Sequence, residues 1–459
     1  MGVVAAQLFW SGCDPGAALD AGEDAPPVVC EAAPTIAIGD PVGAADPLAV
    51  PAGEARAGQV DEGELPQSAS GLLVWGSGEV LLANEHVAMA IEDVGPSDLY
   101  DPWGGRPAGI ANVRDGALVE PGDFGELLIL VGRHTVMTEL VTVMNDGTDG
   151  GTAVVRAEGP LKPLPFFQAI VGSLYGSEPT DLRAAIDYEL APGAHHVDVY
   201  LSVASDLGRS FATGSQLHGF MFTPRMPPFV PGTGFGTVMG EHAFVGFADE
   251  RHTSFLYEAG EDAPLDPAIE VSGFVSRFTD ARRIAPCAVT RWHHARITIG
   301  RADGVVGGVD GAMWARSTDR AEPIRTITGV VRDAAGAPAE GVLVHVLSEA
   351  GGVLTRSIPT GADGRYAVSV AAAATVQLEP TRVGDARVSP VTLAPAETTR
   401  DLALAAAGFA DVTVSDVFGL VPARLQVLAG AGTVVPAPLP DAYGGPPALG
   451  GRLHHLVEV

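Results

Sequence analysis

Ile324-Arg325-Thr326-Ile327-Thr328-Gly329-Val330-Val331-Arg332-Asp333 runs into Ala334-Ala335-Gly336-Ala337-Pro338-Ala339-Glu340-Gly341 and then Val342-Leu343-Val344-His345-Val346. The two outer segments are rich in β-branched side chains, which fit a pleated, half-buried surface. Between them, Asp333 and Gly336 suit a tight turn, and Pro338 has no N–H to continue a ladder. Thr360-Gly361-Ala362-Asp363-Gly364-Arg365-Tyr366 reverses the chain at Asp363-Gly364 and leads into a further strand. Strand, turn, strand and corner in that order predict a small β-sandwich over residues 323–405.

Upstream the same grammar continues. Segments 71–75, 79–83, 87–92, 127–131, 136–144, 152–158, 182–190 and 196–202 alternate or run apolar over strand length between Gly, Pro, Asn and Asp punctuation. They predict a large β-sandwich, supersandwich-like, over residues 67–322. Its clearest hairpin joins 136–144 to 152–158 through Asn145-Asp146-Gly147-Thr148-Asp149-Gly150-Gly151, where Asn and Gly tolerate positive φ. Asn145, Asp146 and Asp149 also offer oxygen donors for calcium, but their spacing is not that of an EF-hand and the turn reading is preferred. Residues 224–240 are crowded with Pro and Gly and predict an irregular loop. Phe229 and Phe235 within it are candidates for the rim of a binding site, or for packing over the sandwich edge. Downstream, 406–459 reads as a partial third β module, with too few strands to stand alone.

Composition narrows the function classes. The 459 residues carry 56 acidic and 27 basic side chains, a formal charge of −29. A broad surface for nucleic acid or anionic lipid needs the opposite sign. Gly and Pro number 58 and 36, in keeping with many turns between short strands.

The start, Met1-Gly2-Val3-Val4-Ala5-Ala6-Gln7-Leu8-Phe9-Trp10-Ser11-Gly12-Cys13, is apolar and ends in small residues before a cysteine. It resembles the end of a bacterial lipoprotein signal peptide, which implies lipidation of Cys13 and an exported protein at the outer membrane or cell surface. Residues 14–66, rich in Asp, Glu, Ala, Gly and Pro, are expected to form a disordered acidic tether. Cys30 and Cys287 could pair in an oxidising compartment, with a buried free thiol the favoured state of Cys287.

The motif over 324–404 resembles the carboxypeptidase regulatory-like family, a small transthyretin-like or Ig-like sandwich. The strand, the Asp333/Gly336/Pro338 turn, the Gly341-Val342 strand and the Thr360/Asp363-Gly364/Tyr366 corner all recur in order. The resemblance implies a spacer or adhesion module and no catalysis. The order of parts, including Gly122–Leu127 and Val421-Pro422-Ala423-Arg424-Leu425-Gln426-Val427, resembles the N-terminal half of exported bacterial metallohydrolases of the polymerase-and-histidinol-phosphatase type. In that family the chemistry lies in a later metal-binding barrel, so this resemblance implies architecture rather than activity.

Catalytic motifs are sparse. Six of the twelve histidines form adjacent pairs, His195-His196, His293-His294 and His454-His455. Neighbours on a strand face opposite sides, a poor arrangement for one metal. The chain has no H-E-x-x-H, G-x-S-x-G or phosphate-loop motif, and Gly232-Thr233-Gly234-Phe235-Gly236 precedes no helix pattern, so no cofactor is implied. One constellation remains: Asn84, Glu85 and His86 on one strand edge and Trp103 and Arg106 in the next loop. A galactose-mutarotase-like sandwich would use such groups for stacking on a sugar, gripping its hydroxyls and acid/base ring opening. The bland reading is a solvated strand end and a buried tryptophan. The sequence therefore points to non-catalytic modules that bind a carbohydrate or an envelope protein and space it from the membrane, touched only through the lipid anchor.

Overall fold

The computed structural model describes residues 28–60, 78–95, 100–122, 125–171, 181–222, 226–235, 240–248, 253–271, 273–382, 387–405, the pairs 415–416 and 419–420, and Ser97 and Asp385. The chain is nearly all β, as its patterning requires. Five antiparallel strands pair in sequence order: β1 (Ala55–Gln59), β2 (Val80–Asn84), β3 (Val87–Ile91), β4 (Pro107–Arg114) and β5 (Ala117–Gly122). Next come β6 (Leu127–Ile129), β7 (His134–Val136), β8 (Leu140–Asn145), β9 (Ala153–Pro163), helix α1 (Pro165–Val171), β10 (Arg183–Leu190) and β11 (His196–Ser205). They are followed by β12 (Phe211–Ala212), β13 (Gln216–Met221), β14 (Pro228–Val230), β15 (Gly234–Phe235), β16 (Val245–Phe247) and β17 (Phe255–Ala259). The body closes with β18 (Asp266–Val271), β19 (Phe274–Thr279), β20 (Arg283–Ile284) and β21 (Ala288–Ile299), and helix α2 (Gly308–Asp319) leads out of it.

A ten-stranded sheet runs β15-β14-β16-β17-β21-β11-β10-β9-β7, with β8 also paired to β9. Its inner face, with Val155, Ile186, Tyr188, Val199, Leu201, Tyr257 and Ile297, is fully buried. That face shares one core with Leu82, Met89 and Ile110 of the five-stranded sheet and with Ile129, Phe220 and Val275 of the four-stranded sheet β18-β19-β13-β6. Along β11 the buried Val197, Val199, Leu201 and Val203 alternate with His196, Asp198 and Tyr200, so the polar half of this strand faces outward.

The small sandwich follows the motif. β22 (Ile324–Arg332), β23 (Leu343–Leu347), β24 (Val353–Arg356), β25 (Arg365–Ala371), β26 (Val376–Thr381), β27 (Val391–Leu393) and β28 (Leu402–Ala403) form sheets β25-β22-β28 and β24-β23-β26-β27. Asp333 Oδ1 accepts the N–H groups of Ala335 and Ala337, both at 2.9 Å, and closes the turn. Gly364 sits at φ +68, where a Cβ would meet the Val331 carbonyl oxygen at 2.5 Å, so the reversal needs glycine. Tyr366 is buried and donates its hydroxyl to the Arg400 carbonyl at 2.6 Å, pinning the far end of the sandwich.

Several expectations need correction. Residues 28–60 of the expected tether are part of the body. β1 pairs with β2, Asp40 bridges Val143, and Ala55, Ala57 and Val60 are buried. Small apolar side chains at alternating positions are enough to fill a core edge, and averaged composition conceals them. Cys287 is not a free thiol: it is bonded to Cys30, joining the N-terminal segment to the start of β21. The Pro/Gly-rich stretch is not irregular throughout, because 228–230 and 234–235 form the edge hairpin β14–β15. Pro228 is the first residue of β14, a position where a missing N–H is tolerated. The hairpin around Asn145 is present as β8 paired with β9. Cys13, strand 71–75 and nearly all of 406–459 lie outside the described residues, apart from Ser415–Asp416 paired with Gly419–Leu420. Among the described residues, no helix is long and apolar enough to cross a membrane.

Candidate functional site

The residues singled out for ligand binding do not converge. Asn84 ends β2 fully buried, and its Nδ2 donates to the carbonyls of Ala191 (3.1 Å) and Ala194 (2.7 Å). Its Oδ1 accepts the N–H groups of His86 and Val87 at 2.9 and 3.0 Å. All its bonding capacity ties the β2–β3 turn to the β10–β11 turn. Glu85 accepts the Gly53 N–H at 3.2 Å and lies 3.8 Å from His86 Nε2. Trp103, half-buried, and Arg106 follow the opposite end of β3, about 20 Å along the strand from Glu85. Arg106 is buried, paired with Asp101 at 2.9 Å and donating to Thr135 Oγ1 at 2.5 Å. A sugar cleft built from Glu85, His86, Trp103 and Arg106 is therefore not assembled.

Phe229 and Phe235 line no open rim. They meet edge to face at 5.2 Å and are buried with Val309, Ala312, Leu347 and Val353, between the body and the small sandwich. The calcium candidates close their own loop: Asn145 Oδ1 accepts Gly147 N–H (2.9 Å), Asp146 Oδ1 accepts Thr148 N–H (2.9 Å), and Asp149 Oδ1 accepts Gly151 N–H (2.8 Å). Among the described residues, no group of three or more His, Cys, Asp or Glu is arranged to hold a metal ion.

What the fold does assemble is a chain of imidazoles and carboxylates on the outer side of β11. His86 stacks on His195 with centroids 4.6 Å apart and planes at 8°, and Trp314 of α2 meets His195 edge-on at 5.2 Å. Asp319, the last residue of α2, accepts the His195 N–H at 3.0 Å, His195 Nδ1 at 2.9 Å and His196 Nδ1. His195 precedes β11 by one residue, so strict alternation does not separate it from His196, and both rings reach one carboxylate. His196 Nε2 lies 3.6 Å from Asp198 Oδ2, and Asp198 also binds His293 Nε2 (3.1 Å) and Arg296 Nε (2.9 Å) of β21. Further across the sheet Arg156 grips Asp187 with two bonds of 2.6 and 2.8 Å, and the Arg291 guanidinium lies 3.8 Å over the Tyr200 ring.

These contacts set the protonation states. Burial opposes charge on Asp319 and Asp198, but hydrogen bonds from the histidines outweigh it and hold both carboxyls well below the usual range. His196 is raised: burial works against its charge, yet Asp198 and Asp319 on either side win. His86 is lowered, first by burial and then by His195 beside it.

The inner face of β21 holds the opposite arrangement. Val199 opposes Ala295 and Tyr200 opposes His293, so His294 is the extra residue of a β-bulge and turns inward. There it stacks on His218 of β13 at 4.5 Å, and His218 bonds Tyr257 Oη (2.7 Å) and Thr279 Oγ1 (3.0 Å). Burial pushes His218 down to about 3, helped by Arg282, and lowers His294 as well.

Residues 326–417 match the carboxypeptidase regulatory-like domain. The match covers about a fifth of the chain and reaches beyond β28. No curated protein matches. Among solved structures, an alpha-galactosidase from Lactobacillus brevis is similar at 10% identity and a TM-score of 0.26, over 60% of this chain; the chain spans 44% of the length of that structure.

Asp319 escapes a reading of the sequence, and His293 stands there only as half of an adjacent pair. One signal is legible there: His196, Asp198 and Tyr200 alternate along one strand and must share a face. Nothing local announces that the end of α2 joins them.

Proposed function

We propose that this protein is an exported cell-envelope lipoprotein whose β-sandwiches are non-catalytic modules that present a binding surface to carbohydrate or protein and hold it away from the membrane. The observation that carries this reading is the mounting of the regulatory-like domain. The domain sits on the body through a closed apolar interface of Phe229, Phe235, Leu256, Val309, Leu347 and Val353, joined by paired backbone groups of Gly232 and Val353. A spacer must transmit position, and a buried apolar interface does so better than a flexible linker. The Cys30–Cys287 bond supports export, since disulfides persist in oxidising compartments.

Two experiments test the reading. Expression with the native upstream sequence and a fatty-acid probe should label the protein and fail to label Cys13→Ser; an unlabelled wild type removes the anchor. Glycan arrays probed with the full chain should show binding, and blank arrays together with no captured envelope protein would remove the binding role. A second reading, the non-catalytic front of a polymerase-and-histidinol-phosphatase-type hydrolase, rests on the order of parts and on the regulatory-like match that follows the body. An H-x-H barrel encoded downstream of Val459 would favour it.

A further inference from the structure

Helix α2 lies between the modules and carries a carboxylate at each end, Asp310 buried and Asp319 half-buried. Near its start, Asp310 is fully buried and accepts the Ser369 N–H of β25 at 2.8 Å and the Thr355 hydroxyl of β24 at 3.2 Å, both on the small sandwich. Its other oxygen, Oδ2, is buried without a hydrogen-bond partner. At its end, Asp319 is held by His195 and His196 of the body. We propose that α2 is a pH-responsive strut, holding the small sandwich onto the body more tightly in acidic surroundings and loosening it as pH rises through neutrality.

The two ends act in the same direction. At the interface end, burial pushes Asp310 up to about 7, against the Ser369 and Thr355 bonds and the Arg301 charge that favour ionisation. Docking is therefore tightest while Asp310 is protonated and weakens as pH rises from the ordinary carboxyl range through about 7. At the body end, His196 is raised above its ordinary value. Its contribution is complete below that ordinary value and is lost as pH climbs through the raised one. Asp319 is depressed, so its contribution is present above the ordinary carboxyl range and disappears only in stronger acid. Asp310 loses its contribution on the way from the ordinary carboxyl range to about 7 and His196 loses its own above its ordinary value, so both fall as pH rises.

The other charged groups around α2 do not reverse this sign. Arg316 and Arg320 share Glu258 of β17 at 2.9 Å each. Arg301 stacks on Trp314 at 3.9 Å, and Arg356 of β24 lies over Phe235 at 4.0 Å. Asp198, with His293 and Arg296 of β21, stands behind His196 and keeps it charged in mild acid. This inference does not depend on the spacer reading, because it concerns how the modules are joined and not what they bind.

The test is hydrogen exchange of the full chain from pH 5.5 to 8.5, corrected for intrinsic rates. The Ser369 amide, which bonds Asp310, reports the interface, and the Leu201 amide reports the body. Ser369 protection is expected to fall at least tenfold across this range while Leu201 protection does not fall. Asp310→Asn, which keeps the shape without the titration, should remove most of the fall, and His196→Gln should reduce it. A flat Ser369 profile in the wild type overturns the proposal without any variant. So does a full fall retained in both variants, or a parallel fall at Leu201, which would signal global opening.

Discussion

His293 and His294 are adjacent, yet β21 sends them into unlike surroundings. His293 points outward to Asp198 and joins a network where each imidazole has a carboxylate within reach. His294 points inward, stacked on His218, where the cluster offers a phenol and a hydroxyl but no carboxylate. Burial is common to both regions; the counter-charge is not. Where it is present His196 holds its proton more firmly, and where it is missing His218 and His294 give theirs up. For His196 and His218 the direction follows the face each occupies, while His86 in the outer network is lowered by burial and by the neighbouring His195.

Acid separates the two regions most strongly. His218 has its folded value lowered from 6.5 to about 3, so its stabilising effect is complete above 6.5 and is lost as pH falls toward 3. Urea unfolding at pH 7.5 and 4.5 should differ by about 2–3 kcal/mol from this group alone, since each tenfold loss of proton affinity is worth about 1.4 kcal/mol. His196→Gln should steepen the loss, because raised His196 acts with the opposite sign; an unchanged slope would mean that the outer network does not titrate as described.

Removing the outer counter-charge comes next. Asp319→Ala should cost about 2 kcal/mol at pH 6, as expected for charge-assisted bonds in a mostly buried site, and should return the His196 titration seen by NMR toward 6.5 or lower. A smaller effect is expected from His294→Leu. It replaces a ring whose Nε2 has no partner, so stability at pH 7.5 should stay within about 1 kcal/mol of wild type, while part of the acid sensitivity disappears. His86→Phe should be the mildest, within about 0.5 kcal/mol by thermal melting, since the stack on His195 survives and the position is exposed on one side.

Reading from sequence works where the physics is local. The turn at Asp333 and the hairpin around Asn145 are each decided within a few residues. The candidate ligand groups fail for a non-local reason. Glu85 with His86 and Trp103 with Arg106 look close along the chain, but β3 carries them to opposite ends of a sheet. Phe229 and Phe235 look exposed in a breaker-rich stretch, and a second module covers them. The acidic segment before residue 60 misleads because its average composition hides the alternating small residues that fill a core edge.

From residues alone came the all-β class, the small regulatory-like sandwich with its turns and corner, and an acidic surface unsuited to polyanions. Each follows from periodicity, backbone preference or net charge, properties that neighbouring residues already possess. Tertiary structure alone decided that Cys30 meets Cys287, that His294 turns inward at a bulge, and that Asp319 gathers His195 and His196 from the far side of the body. Those outcomes depend on how sheets stack and where a linking helix docks, and the chain does not encode them until distant segments share one core.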